Sequence, residues 1–255
     1  MGEAETTSPI DLSRFKVACN DCNLFQLCLP VGVDKPDLEL LDRIIKRRRP
    51  LKRGEHLFHT GSPFQSIYAV RSGSVKTYSA TENGYEQITG FHLPGELLGL
   101  DAISDGRHPC SAKALETASL CEIPFERLEE LSYRVPSLQH QLLKIMSKEI
   151  LSDESLLVLL GKKNAEERLA ALLVSLSDRY RQRGFSPNEF HLSMSRNDIG
   201  NYLGLAVETV SRLFTRFQAE GLLTVQRKHI HILDLTRLRN LACTTRGAPE
   251  PDLCE

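Results

Sequence analysis

Ser195-Arg196-Asn197-Asp198-Ile199-Gly200-Asn201-Tyr202-Leu203-Gly204, followed by Leu205-Ala206-Val207-Glu208-Thr209-Val210-Ser211-Arg212-Leu213-Phe214-Thr215-Arg216-Phe217, is the stretch whose reading decides the fold. Ser195 and Asp198 are spaced as a capping box, in which each side chain satisfies the other residue's backbone N–H. A short helix over residues 199–203 then meets Gly204, which is suited to a left-handed turn. A second helix starts near residues 206–207 and stops at Gly221. Two helices joined by such a turn make a helix-turn-helix. Along the second helix Val207, Val210, Phe214 and Phe217 form one apolar stripe, while Glu208, Ser211 and Arg212 share a separate polar face near its start. In that geometry the start of the second helix meets base edges in the major groove. Arg212 suits guanine, Glu208 suits the cytosine amino group, and Ser211 makes a shorter contact. Arg216 and Lys228 suit phosphates, and Ser195 and Arg196 at the head of the first helix complete the candidate DNA contacts. Residues 227–232 read as the hairpin of a winged helix.

The charge distribution agrees with this. The chain has 255 residues and a net charge of −1, but residues 162–243 carry thirteen Lys and Arg against eight Asp and Glu. A basic C-terminal third on an acidic body points to a polyanion partner, here double-stranded DNA. The composition is that of a soluble globular protein, with length for two compact domains. The first fifteen residues lack the apolar core of an export signal, and no apolar run approaches a bilayer span. The expectation is a cytoplasmic protein with no membrane association.

Upstream, Cys19-x2-Cys22-x5-Cys28 places three thiols within ten residues. Seven cysteines in a chain with no export signal argue against a disulfide framework and for metal ligands. Three thiolates leave a fourth position open, and the residues alone leave Cys110 and Cys121 as equal candidates for it. Cys243 and Cys254, beyond the DNA-binding unit, are poor ones. A zinc site of four cysteines is the structural alternative, although zinc sites usually carry a C-x2-C pair on both sides. The eight histidines show no ligand spacing. No nucleophile–base pair, phosphate loop or dinucleotide fingerprint is present, so the chain is not read as an enzyme.

Between these ends lie two further patterns. After a helix over residues 35–46, glycines at 54, 61, 73, 84, 90, 95 and 99 punctuate short β-branched and aromatic segments, which predicts a sandwich, barrel or roll. Thr81-Glu82-Asn83-Gly84 carries the Asn-Gly mark of a tight hairpin. From Pro136 an uninterrupted helix runs to residue 160, and Leu142, Met146, Ile150, Asp153, Leu157 and Leu160 recur at heptad-like spacing. Asp153 within that apolar seam would oppose its symmetry mate in a parallel homodimer.

Taken together, roll, long helix and helix-turn-helix resemble the CRP/FNR family of bacterial transcription regulators. The likeness is closest over residues 195–217, where Glu208-x-x-Ser211-Arg212 looks like the DNA-reading motif of the FNR/ANR branch. It extends from Cys19 to about residue 241, through Thr89-Gly90-Phe91-His92-Leu93-Pro94 and Cys121-Glu122-Ile123-Pro124-Phe125-Glu126. The resemblance implies an α+β fold: an N-terminal double-stranded β-roll of the cyclic-nucleotide-binding type, a long dimerisation helix and a C-terminal winged helix-turn-helix. The expected divisions are an iron–sulfur arm (1–29), the roll (30–134), the helix (135–161), the DNA-binding unit (162–243) and a disordered tail (244–255). It also implies palindromic sites of the TTGAT type and one [4Fe-4S] cluster per chain, held by Cys19, Cys22, Cys28 and Cys121. Oxygen would convert that cluster to [2Fe-2S], loosening the arm and the homodimer; a thiol-redox or zinc regulator of the same fold is the alternative.

Nucleotide-binding members follow Gly-Glu-Leu with an Arg-Ser/Thr-Ala phosphate cradle. Here Gly95-Glu96-Leu97 is followed by Cys110-Ser111-Ala112, which implies no cyclic nucleotide and makes Gly95-Glu96 a structural turn. The resemblance finally implies RNA polymerase as a partner, met by the Thr81–Gly84 hairpin and residues 181–187.

Overall fold

Pro36 and Pro136, each in the first turn of a helix, sit where a missing N–H costs nothing. In a computed structural model that describes residues 19, 22–80 and 84–243, these prolines open α1 (Lys35–Ile44) and the 27-residue α3 (Pro136–Lys162). Between them lie β1 (Lys46–Arg47), β2 (His56–Phe58), β3 (Ser66–Ser72), β4 (Val75–Ala80), β5 (Glu86–His92), β6 (Leu97–Leu98), β7 (Ser111–Ala114), β8 (Ser119–Pro124) and α2 (Phe125–Arg134). The strands pair antiparallel in two four-stranded sheets, ordered β1-β8-β3-β6 and β2-β7-β4-β5. Their shared interior is filled by Phe58, Tyr68, Val70, Val75, Leu98 and Leu120. Of the sandwich, barrel or roll that the glycine-punctuated segments predict, this is the roll that the resemblance implies. Residues 81–83 of the Asn-Gly hairpin and the 244–255 tail lie outside the described residues.

The C-terminal unit holds α4 (Ala165–Gln182), β9 (Glu189–His191), α5 (Arg196–Leu203), α6 (Val207–Ala219), β10 (Leu223–Gln226), β11 (His229–Ile232) and α7 (Leu235–Cys243). Asn164 caps α4 through a full capping box with Glu167, a feature worth about 1 kcal/mol. Ser195 and Asp198 form the expected box at α5, and Gly204 follows it at φ 64°. The wing is a three-stranded sheet, β10-β11-β9. Leu169, Leu173 and Leu176 of α4, Ile199 and Leu203 of α5, and Val210, Phe214 and Phe217 of α6 close one core. Each fully buried side chain there contributes about 1.5–3 kcal/mol. Val207, counted in the apolar stripe, stays more exposed.

Two packing features position the functional surfaces. Leu29, Val33, Leu38 and Leu41 join Ile67, Ile123 and Leu138 in a cluster that presses the cysteine arm and α1 against β3 and β8. The DNA-binding core, for its part, is continuous with Tyr78, Ile88, Phe91 and Leu93 of the roll. Along α3 only Leu138 is buried, whereas Leu143, Ile150, Leu151, Leu157 and Val158 are all more than half exposed.

Candidate functional site

Cys22, Cys28 and the neighbouring Phe25–Leu27 turn fold into a compact arm, and backbone bonds Cys22 N to Cys19 O (3.3 Å) and Phe25 N to Cys22 O (3.0 Å) bend the trio back on itself. That bend turns three sulfurs towards β8, where Cys121 pairs in register with Arg47 of β1 and Ala69 of β3. Cys19, Cys22, Cys28 and Cys121 line one cavity, closed by apolar side chains including Phe25, Leu29, Leu41, Ile45 and Ile123. The cavity holds thiols from both the arm and the roll, although ninety-three residues separate Cys28 from Cys121.

Burial pushes the Cys19 and Cys28 thiols up to about 12, and that of Cys121 also upward. In a metal-free pocket these three thiols are therefore protonated, and taking up a cationic centre releases those protons. The four cysteines line one cavity whose remaining lining is almost wholly apolar, with Arg71 at its edge. Four soft donors in an apolar pocket fit a polynuclear iron–sulfur group.

Cys110, the other candidate for the fourth position, is elsewhere. It is buried in the roll interior and its thiol donates to Asp101 Oδ2 (3.2 Å). Three charged residues that the sequence reading did not assign border the cysteine site. Asp42 accepts from the Cys19 N–H (3.2 Å) and from Arg47 Nη2 (2.6 Å), so it ties the arm to β1. Arg71 lines the cavity itself. Arg47 and Arg71 both act to lower the Cys121 thiol against the upward effect of burial, and both offer positive charge to a thiolate-rich group. Asp42 lies twenty-three residues from Cys19 on a charged helix face, and nothing local marks it.

At the other end, Glu208, Ser211 and Arg212 are exposed on the first two turns of α6. Ser211 Oγ donates to Val207 O (2.9 Å), and Arg212 leans on Thr209 Oγ1 (3.5 Å). Arg216 bonds Glu220 (2.7 Å) and Glu166 (2.8 Å), so its phosphate role requires leaving those carboxylates. Arg196 is turned inward: its guanidinium lies 3.2 Å from the Phe214 ring centre, and burial lowers its pKa to about 10. Ser195 Oγ is engaged with Asp198. In this arrangement Arg196 and Ser195 hold the first helix, while Glu208, Ser211 and Arg212 remain exposed polar side chains at the start of α6.

On α3, Leu142, Met146 and Leu160 are half-buried, whereas Ile150, Asp153 and Leu157 are exposed. Asp153 also borders a second cavity, of about 500 Å³, shared with Glu149, Glu96 and Arg179.

Comparison with known proteins bears on both halves. Residues 48–134 match the cyclic nucleotide-binding domain and residues 167–241 the Crp-like helix-turn-helix domain. The chain is 58% identical to the transcriptional activator protein Anr of Pseudomonas aeruginosa, over 88% of this chain and 92% of the relative. It is 53% identical to the fumarate and nitrate reduction regulatory protein of Escherichia coli, over 91% and 92%. Among solved structures it superposes on FixK2 from Bradyrhizobium japonicum with a TM-score of 0.73 at 30% identity, covering 79% of this chain and 99% of that one. This chain therefore belongs to the CRP/FNR family of transcription regulators, in its FNR/ANR branch, and is not an enzyme.

Proposed function

We propose that the chain is a global transcription regulator of anaerobic metabolism, activating from palindromic TTGAT-type sites when oxygen is absent. The observation that carries this reading is one cavity lined by Cys19, Cys22, Cys28 and Cys121, shared between the cysteine arm and the last strand of the roll. A [4Fe-4S] group bound there supplies oxygen-labile iron–sulfur chemistry. The chain's own residues do the rest. The four cysteines pin the arm to β8, and Asp42 with Arg47 fixes the arm's first cysteine beside β1. Packing of the arm on α1, α2 and the start of α3 sets the course of the long helix. Its exposed apolar face, in a homodimer, brings two recognition helices to successive turns of one duplex.

The reading also makes RNA polymerase a partner and the cytoplasm the location, as befits a factor that works on the chromosome. The names of the relatives, a transcriptional activator and a fumarate and nitrate reduction regulator, favour activation under anaerobic growth. Cyclic nucleotide has no part in it. The buried thiol of Cys110, bonded to Asp101, stands where the phosphate cradle of nucleotide-binding members has arginine, and a carboxylate beside that thiol repels a phosphate.

The test is DNA affinity measured on the purified, cluster-loaded protein with a TTGAT palindrome, first without oxygen and then after air exposure. The reading expects binding to weaken roughly a hundredfold in air, the scale on which a few kcal/mol shift a two-state equilibrium. Equal affinity in both conditions contradicts it.

A further inference from the structure

Glu96 follows the Gly95 turn and would be an ordinary turn residue if its carboxylate only accepted the Leu93 N–H (2.9 Å). It does more. Arg179 of α4 donates to both of its oxygens, Nε to Oε1 at 2.9 Å and Nη2 to Oε2 at 2.5 Å, a bidentate fork. Arg183 adds a third bond to Oε1 (2.5 Å) from a side chain only 2% exposed, and its Nε reaches Pro94 O (2.7 Å). One carboxylate of the roll thus gathers two arginines of the DNA-binding unit.

The same face is held at three further points. β5 is the edge strand of its sheet, and Asn201 of α5 satisfies it as a neighbouring strand would. The amide oxygen accepts from Ile88 N (2.6 Å) and the amide nitrogen donates to Glu86 O (2.6 Å). Lys76 meets Asp198 at 2.7 Å, both side chains largely shielded from solvent. Phe91 packs on Tyr202 with ring centres 5.0 Å apart. None of these contacts covers Glu208, Ser211 or Arg212, which stay exposed. The contact orients the reading helix without blocking it.

The other side of the Gly95 turn faces the cysteine arm. A Cβ on Gly95 would lie 2.9 Å from Leu27 Cβ, and the residue has φ +93°, so only glycine lets the arm seat there. Leu27 immediately precedes Cys28.

We propose that Glu96 is a positioning residue for DNA reading: it fixes the DNA-binding unit on the roll through Arg179 and Arg183, and the Gly95 turn ties that contact to the cysteine arm through Leu27. The arm then acts on the reading helix within one chain, in addition to any effect on pairing of two chains. The inference rests on the DNA-binding reading given above.

The test uses the full-length chain prepared without oxygen. Glu96→Gln keeps an acceptor for the Leu93 N–H and removes only the charge that the arginines need. It makes the chain more positive, so general electrostatics alone would tighten DNA binding; the proposal expects the opposite, a loss of about tenfold or more. Hydrogen exchange of backbone amides should rise together in residues 86–93 and 196–203, on both sides of the contact. Asn201→Ser loosens the same contact with no change of charge and should give both effects, which keeps the proposal testable should Glu96→Gln fail to fold. Unchanged or tighter DNA binding, or faster exchange confined to the turn at residues 93–97, overturns the proposal. A parent protein that fails to bind DNA anaerobically defeats the functional reading instead, so the two failures are distinguishable.

Discussion

His92 is half-buried in the roll with its ring Nε2 3.1 Å from Thr77 Oγ1, and loss of solvent around the ring lowers its pKa from 6.5 to about 4. Unfolding exposes it to ordinary titration, so between those two values the unfolded chain binds more protons. The contribution of His92 to stability is thus full above pH 6.5 and is lost as the pH falls towards 4. His92→Gln keeps a polar partner for Thr77 and should flatten the melting temperature between pH 6.5 and 4; a slope equal to the parent's contradicts this. This residue lies within Thr89-Gly90-Phe91-His92-Leu93-Pro94, which the sequence marks only by likeness to a family. Other single residues differ in legibility. The spacing of Cys19, Cys22 and Cys28 is a local pattern and could be read directly. The residues alone left Cys110 and Cys121 equal; the family resemblance implied Cys121, and strand order puts Cys121 beside the arm and Cys110 inside the roll. Glu96 was read as a turn residue, and its arginine partners are more than eighty residues away.

At the scale of elements, α3 follows from its sequence: Pro136 opens it and no Gly or Pro interrupts it before Gly161. The heptad reading found one line of side chains. Leu143, Leu151 and Val158 lie beside its members Ile150 and Leu157, and all five are more exposed than Leu142 or Met146. The apolar face is therefore broader than the seam, because the first turns of α3 are already packed on the roll. Contiguous exposed apolar surface of this kind marks an association face. Asp153 lies at its flank, where burial and the charge of Asp101 raise its carboxyl pKa. An ionised carboxylate there opposes pairing, so Asp153→Ala should shift the air-exposed, cluster-free protein from monomer towards dimer in sedimentation velocity. A variant that remains monomeric under the same conditions removes Asp153 from the account.

Over the whole molecule, the order of roll, long helix and DNA-binding unit was legible because each segment has its own periodicity: short punctuated strands, then heptads, then two capped helices. Their mutual docking was not. The contacts of Asn201 with β5 and of Lys76 with Asp198 span more than a hundred residues and leave no local pattern. They join the first helix of the helix-turn-helix to the roll, on which the cysteine arm packs through a separate cluster. In the proposed function the arm and β8 together hold an iron–sulfur group through Cys121. Iron and sulfide content, with the absorption spectrum, of anaerobically purified parent, Cys121→Ser and Cys110→Ser proteins tests this. The account predicts about four irons per chain and a brown colour for the parent and Cys110→Ser, with both lost in Cys121→Ser. A colourless parent, or iron retained in Cys121→Ser and lost in Cys110→Ser, would contradict it.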